Sequence, residues 1–518
     1  DGTYAYKHKL NLTGLFSVQE QNYQVSSFNN NDILNDVLEY FNPAYGSNLT
    51  GTGNTEKWAL VSYMGRLNYT YDERYMLTAT VRTDGSSRLA PGNKYKTFPS
   101  GALAWNIHNE EWFNVNPISN LRLRASYGEV GNASIAPYQT MAQLSPFRMN
   151  FGDKTTTGVY LTDVANANLS WEYTATTELG LDFGLLNNRI TGTFGVYKQQ
   201  TRDLLLPQTL PSTSGIQNTA LANVGATENK GIELQLSAAV FVPKSRNDFG
   251  WSFDVNATIN RGKITKLSEG ATQDISNNWF VGQPIGVIYD KIKDGIWQNT
   301  KEDTALAQKY KQSLTGAGSV IGTIRFLDIN NDGKFDDNDR VILGSNQPKW
   351  TGGMTNRFSY RGFDLTVVAF ARMGSTFRST LTGGGFANTY QGTYNNVKTR
   401  FWTPDNHEKE FPKPNADRQN TQNNSLLGIF DGSFLKIRTI SLAYTLPPTM
   451  LKKLGARSLR FYTTVENPFI FFSPFVDHPF GGLDPETGGE PDRPSVNAQL
   501  NVDTPPNWKL IFGLSLSF

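Results

Sequence analysis

In the stretch KGIELQLSAAVFVP every second residue is apolar. Ile232, Leu234, Leu236, Ala238, Val240 and Val242 fall on one side of an extended chain, and Glu233, Gln235, Ser237 and Ala239 on the other. The next stretch, GWSFDVNATINRG, repeats the pattern. Trp251, Phe253, Val255, Ala257 and Ile259 oppose Ser252, Asp254, Asn256, Thr258 and Asn260. A side-chain period of two belongs to β-strands, and the polar turn KSRND between the stretches makes them a hairpin with one apolar and one polar face.

The pattern recurs along the whole chain. Tyr63, Leu67 and Tyr71 alternate with Met64, Arg66 and Thr70; Tyr75, Leu77, Ala79 and Val81 follow after three residues. Leu121, Leu123 and Ala125 oppose Arg122 and Arg124, and Leu179, Leu181 and Phe183 oppose Glu178 and Asp182. Roughly fourteen such segments are expected, each near the ~9–11 residues that a tilted strand needs to cross a bilayer.

The connections alternate as well. Short ones are expected near 72–74, 108–119, 186–188, 244–248, 361–362 and 447–456. Long ones are expected at 29–57, 85–97, 131–168, 204–228, 263–349, 374–433 and 468–507. Short turns on one side and long loops on the other are the asymmetry of an all-β transmembrane antiparallel barrel in an outer membrane. A secreted sandwich or propeller also alternates, but it does not concentrate loops of this length on one side. The chain ends in NWKLIFGLSLSF, an apolar-faced strand closing on Phe518, like the terminal strand of bacterial outer-membrane proteins.

On this reading the apolar face meets lipid and the polar face lines a lumen. Arg66, Arg82, Arg122, Arg124, Glu172, Glu178 and Asp182 are too costly to place in lipid and are assigned to the lumen. Trp58, Tyr71, Tyr75, Trp105, Trp171, Trp251, Trp350 and Tyr444 lie near strand ends, where interfacial aromatic girdles belong. The formal net charge of +2 gives no electrostatic case for nucleic acid. There are no cysteines, hence no disulfide or thiolate metal site, and four histidines leave little for an imidazole-ligated metal. The chain opens on DGTYAYKHKLNL, already the approach to a strand, so its first residue is not expected to be the start of the gene product.

The stretch DINNDGKFDDND, residues 328–339, carries oxygen-bearing side chains at its first, third, fifth, ninth and twelfth positions and glycine at the sixth. That is the spacing of a calcium loop. The expected ligands are Asp328, Asn330, Asp332, the carbonyl of Lys334, Asp336 and Asp339. TKEDTALAQKYKQSL before it suits a short helix, but GTIRFLDIN directly ahead reads as extended and RVILGSNQPKW after it runs into a strand near Trp350. The loop therefore lies outside a paired-helix sensor, and a bound Ca2+ would be a structural staple within the 263–349 extracellular loop region. A metal-free Asx-turn loop is the alternative. No nucleophile elbow, zinc-ligand pair or phosphate loop is present, and the chain is read as not an enzyme.

The segments SYMGRLNYTYDERYMLTATVRTDGSSR, FPSGALAWNIHNEEWF, LRLRASYGEVGN, LSWEYTATTELGLDFGLLNNRI, NKGIELQLS, FLDINNDGKFDDNDRVILGS, FLKIRTISLAYTLP and GLDPE follow one another in this order. Together they resemble the SusC/RagA-like TonB-dependent transporters of Bacteroidetes outer membranes, over nearly the whole chain. The resemblance implies a 22-stranded barrel of which residues 1–518 form a C-terminal portion, with the plug domain and first strands lying outside this sequence. It implies active import of an oligosaccharide or peptide, energised by the TonB–ExbB–ExbD complex and shared with a SusD-like surface lipoprotein. Two transporter–lipoprotein pairs would form the assembly. A passive pore or surface-binding protein without energy coupling is the alternative function. Loop aromatics are the candidates for stacking on sugar, and Phe401 and Trp402 in KTRFWTPDNHEKEF are chosen.

Overall fold

The structure is a computed structural model. It describes residues 7–31, 47–208, 213, 220–316, 318–379, 400–407, 409–413, 424–478, 484–486, 499–500 and 507–518. Its framework is a single sheet of fourteen antiparallel strands. In chain order these are β1 His8–Asn31, β2 Ser47–Tyr71, β3 Tyr75–Ser86, β4 Tyr95–Asn106, β5 Ile118–Asn132, β6 Glu172–Leu185 and β7 Ile190–Arg202. They continue as β8 Ala226–Phe241, β9 Gly250–Lys266, β10 Trp350–Tyr360, β11 Phe363–Met373, β12 Phe434–Thr445, β13 Ser458–Phe472 and β14 Lys509–Ser517. Each strand pairs with the one before and after it in this order, the topology of an up-and-down barrel wall. Among the described residues β1 and β14 each have one neighbour in this sheet.

Register turns the period of two into surfaces. One row runs Leu10, Tyr69, Leu77, Leu103, Ala125, Leu179, Val196, Ile232 and Ile259 across nine strands. These apolar side chains are not covered by protein: Leu103 is 60% and Leu179 55% exposed. A soluble protein does not leave a continuous apolar band of this kind in water, whereas a bilayer covers it. Among the described residues no helix is long and apolar enough to cross a membrane.

Most strands are longer than the sequence suggests, and the fourteen range from 9 residues in β14 to 25 in β2. Their additional residues are polar tips that prolong the ladder beyond the apolar band. The 29–57 connection therefore contracts to 32–46, and the connection expected at 263–349 begins after Lys266. The short connections stay short; 72–74 and 361–362 are tight turns, with Asp72, Glu73 and Arg361 in the left-handed region. Trp171 leaves the girdle reading: it is buried with Leu89, Phe98, Ile135 and Leu169 in a core at the long-loop end. At the opposite end Tyr71, Tyr75, Trp105 and Trp112 form a run of ring contacts. Glu110 anchors that run by accepting from the Tyr75 hydroxyl at 2.6 Å and the Trp105 indole at 2.8 Å.

Candidate functional site

Two regions can meet a solute, the polar inner face of the sheet and the loops above it. The inner face is a set of linked charges. Arg124 reaches Asp182 with two hydrogen bonds, at 3.0 and 3.1 Å, and lies 3.6 Å from Glu178. Asp182 also accepts from Thr193 at 3.1 Å. Arg82 holds Asp84 at 2.8 Å and donates to Ser62 at 3.0 Å; Arg122 donates to Asn106 at 2.6 Å, and Arg66 to Thr80 at 3.2 Å. Farther along, Ser237 donates to Asp254, which Arg357 also engages. Glycines make room for these side chains: a Cβ at Gly180 would lie 2.8 Å from the Arg124 guanidinium. Charged groups on this face thus meet opposite charges or neutral polar groups of the wall, as suits a polar lumen.

The long connections fold onto one another. Ile296, Ile324, Phe326, Trp402, Phe411, Leu426 and Leu427 form a buried core drawn from two of them. Trp402 belongs to this core: it is only 7% exposed, and its indole N–H donates to Gln298 at 2.8 Å. Phe401 next to it is on the surface. The two aromatics chosen for sugar stacking are therefore separated by the fold, one packed inside the loops and one accessible. Around the core, Asp290 receives Arg378 and Ser425, each at 2.8 Å, and Lys293 pairs with Glu410 at 3.0 Å. A cavity of about 490 Å3 opens beside it, lined in part by Lys293, Glu410, Phe411, Phe430 and His478.

One loop attachment was not singled out from the sequence. Lys436 and Arg438 of β12 hold two carboxylates from the connection after β13. Lys436 is 2.7 Å from Asp484 and 2.6 Å from Glu486, and Arg438 is 2.5 Å from Glu486. Burial opposes ionisation of Glu486, but hydrogen bonds from Arg438 and Lys436 outweigh it, so its pKa lies below the ordinary carboxylate range. The signal was present in FLKIRTISL, where Lys436 and Arg438 alternate with Leu435 and Ile437, and in the Asp and Glu of GLDPE.

The 328–339 segment forms a compact loop after the short strand Ile324–Phe326, and the helix Lys301–Lys309 lies farther upstream. Gly333 has φ 81°, the left-handed turn its position calls for. Its N–H donates to Asp328 at 3.0 Å, and the Asp332 and Lys334 N–H groups donate to Asn330 and Asp332 at 3.1 and 2.9 Å. Asp336 accepts from the Asn338 N–H at 2.8 Å. Asp339 is fully buried and accepts from the N–H groups of Ile329 at 2.9 Å and Asp336 at 3.0 Å. Asp328 keeps one buried carboxylate oxygen without a hydrogen-bond partner. Burial, reinforced by the nearby Asp328 carboxylate, raises the pKa of the Tyr310 hydroxyl. The donor set is that of an oxygen-ligated cation, and the chain already makes the turn. Among the described residues, however, no three His, Asp or Glu side chains are gathered into a metal cluster. The loop carboxylates engage backbone N–H groups instead.

Comparison with known proteins places this architecture. Residues 1–290 match the family model described as TonB dependent receptor-like, beta-barrel. The chain belongs to this TonB-dependent receptor family. It is 32% identical to TonB-dependent receptor P3 of Formosa agariphila over 99% of the chain and 51% of that relative. It is 31% identical to TonB-dependent receptor SusC of Bacteroides thetaiotaomicron over 89% of the chain and 44% of that relative. Its fold is that of the structure titled as the RagAB peptide transporter, with a TM-score of 0.77 at 23% identity over 99% of the chain and 54% of the other. The chain thus spans about half the length of the relatives it matches. It is a SusC/RagA-like outer-membrane barrel protein, and the resemblance seen in the ordered motifs is upheld.

Proposed function

We propose that this chain supplies wall and extracellular loops to an active nutrient importer of the outer membrane. TonB–ExbB–ExbD would energise it through parts of the protein outside residues 1–518, and a SusD-like surface lipoprotein would share the cargo. An oligosaccharide is the favoured cargo and a peptide the second. The observation that carries the reading is the paired inner face of Arg82, Arg124, Asp182 and Asp254 beneath loops that are pinned into one body. A passive pore needs the first of these and has no use for the second. The likeness to TonB-dependent receptor SusC supports energy-coupled import, the ordered motifs that resemble the SusC/RagA-like transporters support the lipoprotein partner, and accessible Phe401 supports a ring-stacking contact with sugar.

Within this function the 328–339 loop is assigned a structural Ca2+. Asp328, Asn330, Asp332, the Lys334 carbonyl, Asp336 and Asp339 would hold it, with the unpartnered Asp328 oxygen as the first attachment point. The ion would draw these oxygen ligands together and fix the loop. Extracellular calcium at the millimolar level suffices even for a weak site of this class.

The deciding experiment is copurification of the whole protein from detergent-solubilised outer membranes, with mass analysis of every associated chain, followed by binding of defined glycans and peptides. A SusD-like lipoprotein together with glycan binding weakened by F401A supports the reading. A barrel that purifies alone and conducts without energy input returns it to a passive pore, and peptide binding without glycan binding moves the cargo to the second class.

A further inference from the structure

Above the apolar band, the outer face of β7, β8 and β9 changes character at one level. The row Val196, Ile232 and Ile259 is followed, two residues on in each strand, by Lys198, Lys230 and Arg261, again in register. The next row is Gln200, Glu228 and Lys263, and Arg202 stands beyond it on β7. Strand parity keeps these side chains on the face of Ile232, opposite Glu233, Gln235 and Ser237. They point away from the lumen. They also sit at the long-loop end, because β7 and β9 run from here into the connections after Arg202 and Lys266.

The balance of charge is one-sided. Glu228 lies 3.3 Å from Lys198, 3.1 Å from Lys230 and 3.5 Å from Lys263. One carboxylate thus answers three ammonium groups, each of which remains about half exposed. Arg202 pairs with Glu129 at 3.2 Å, and Arg261 spends its guanidinium on the carbonyls of Asn260, Pro348 and Lys349. Like charges directly opposite one another in a sheet are destabilising unless something compensates them. Two residues of a strand tilted near 40° rise about 5 Å along the membrane normal, so the lysines reach the headgroup layer just above the band.

We propose that Lys198, Lys230 and Lys263 form a binding site for the phosphate of an outer-leaflet lipid headgroup, whose acyl chains lie along Val196, Ile232, Leu234 and Ile259. Glu228 spaces the ammonium groups and keeps the empty site from repelling itself apart. The apolar band directly beneath selects a lipid over a free anion, and the outward direction of the side chains separates the site from the cargo path.

The test uses the whole protein purified in mild detergent and stripped of lipid, with phosphorylated lipid A and its dephosphorylated form as probes. Native mass spectrometry and the shift in Tm on adding lipid are the readouts. The expected result is retention and stabilisation by the phosphorylated form only, reduced roughly hundredfold in K198Q/K230Q/K263Q, since each cation near a charged membrane surface contributes a comparable share. E228Q removes the internal counter-charge and is expected to tighten lipid retention, an increase that misfolding cannot imitate. Equal stabilisation by both lipid forms overturns the proposal, as does equal retention by wild type and the triple variant. Reproduction of the effect by inorganic phosphate alone overturns the lipid assignment. Release of an acidic protein by the triple variant, with lipid retention unchanged, makes the patch a protein-docking surface instead.

Discussion

Lys436 is 2% exposed, and its ammonium group is shared by Asp484 and Glu486. Removing one partner of a buried ion pair costs about 3–5 kcal/mol, and here Arg438 still holds Glu486, so the lower end applies. K436M is therefore expected to release the connection after β13, read as faster protease cleavage within it while the barrel stays folded. The pH dependence has a definite sign. Glu486 has its pKa lowered from the ordinary 4.5, so its contribution is fully present above that value and is lost as pH falls through the lowered folded value. Protection of this connection should hold at neutral pH and fail in acid, and E486Q should flatten the acid limb; protection unchanged down to the acid limit in wild type would count against the tether. Trp402 gives a second prediction at this scale. W402A should destabilise the loop core by about 3–5 kcal/mol, and W402F by about 1 kcal/mol through the lost bond to Gln298. Hydrogen exchange in 290–330 measures both, and an unchanged exchange rate in W402A would remove Trp402 from the core.

At the scale of the element, each strand carries two environments at alternate positions. L179R places a charge in the lipid-facing row and should cost about 2–4 kcal/mol in barrel stability, whereas E178Q on the next residue should change it little. Denaturant titration of the folded barrel in detergent compares them, and equal effects would contradict the two-faced assignment. The same alternation explains what could be read in advance. The fourteen strands, their order, the short turns and the inner charges Arg124 and Asp182 were legible because a period of two repeats locally in the chain. Strand ends were not, since polar tips such as Glu228 and Lys263 look like loop. The loop core was not legible either: Trp402 meets Gln298 across 104 residues and Arg378 meets Asp290 across 88, with no periodicity to announce either contact. The calcium-type loop was legible by its spacing alone. If it holds Ca2+, millimolar calcium should slow proteolysis of 324–345 and EDTA should restore it, with D328N/D332N insensitive to both. Cleavage at the same rate in calcium and EDTA would leave the loop as a chain of Asx turns.

At the scale of the whole molecule, the question is why a membrane wall should carry so much folded material on one side. A barrel that only lets solutes diffuse gains nothing from a buried loop core, from Lys436 drawing a distant connection onto β12, or from Asp290 bridging two loops. Those contacts hold a surface in a fixed shape, which is what recognition of a cargo requires. Recognition and release then conflict: a surface that binds well lets go slowly, and an input of energy resolves the conflict. The importer reading accordingly separates binding from uptake. In cells, a protonophore should abolish uptake of the cargo while leaving its binding to the surface intact, and F401A should weaken binding without altering the dependence on energy. Radiolabelled cargo, counted at the surface and inside the outer membrane, measures the two steps. Uptake that continues at the same rate after the proton gradient is collapsed would mean that the loops filter a passive channel rather than load an active one.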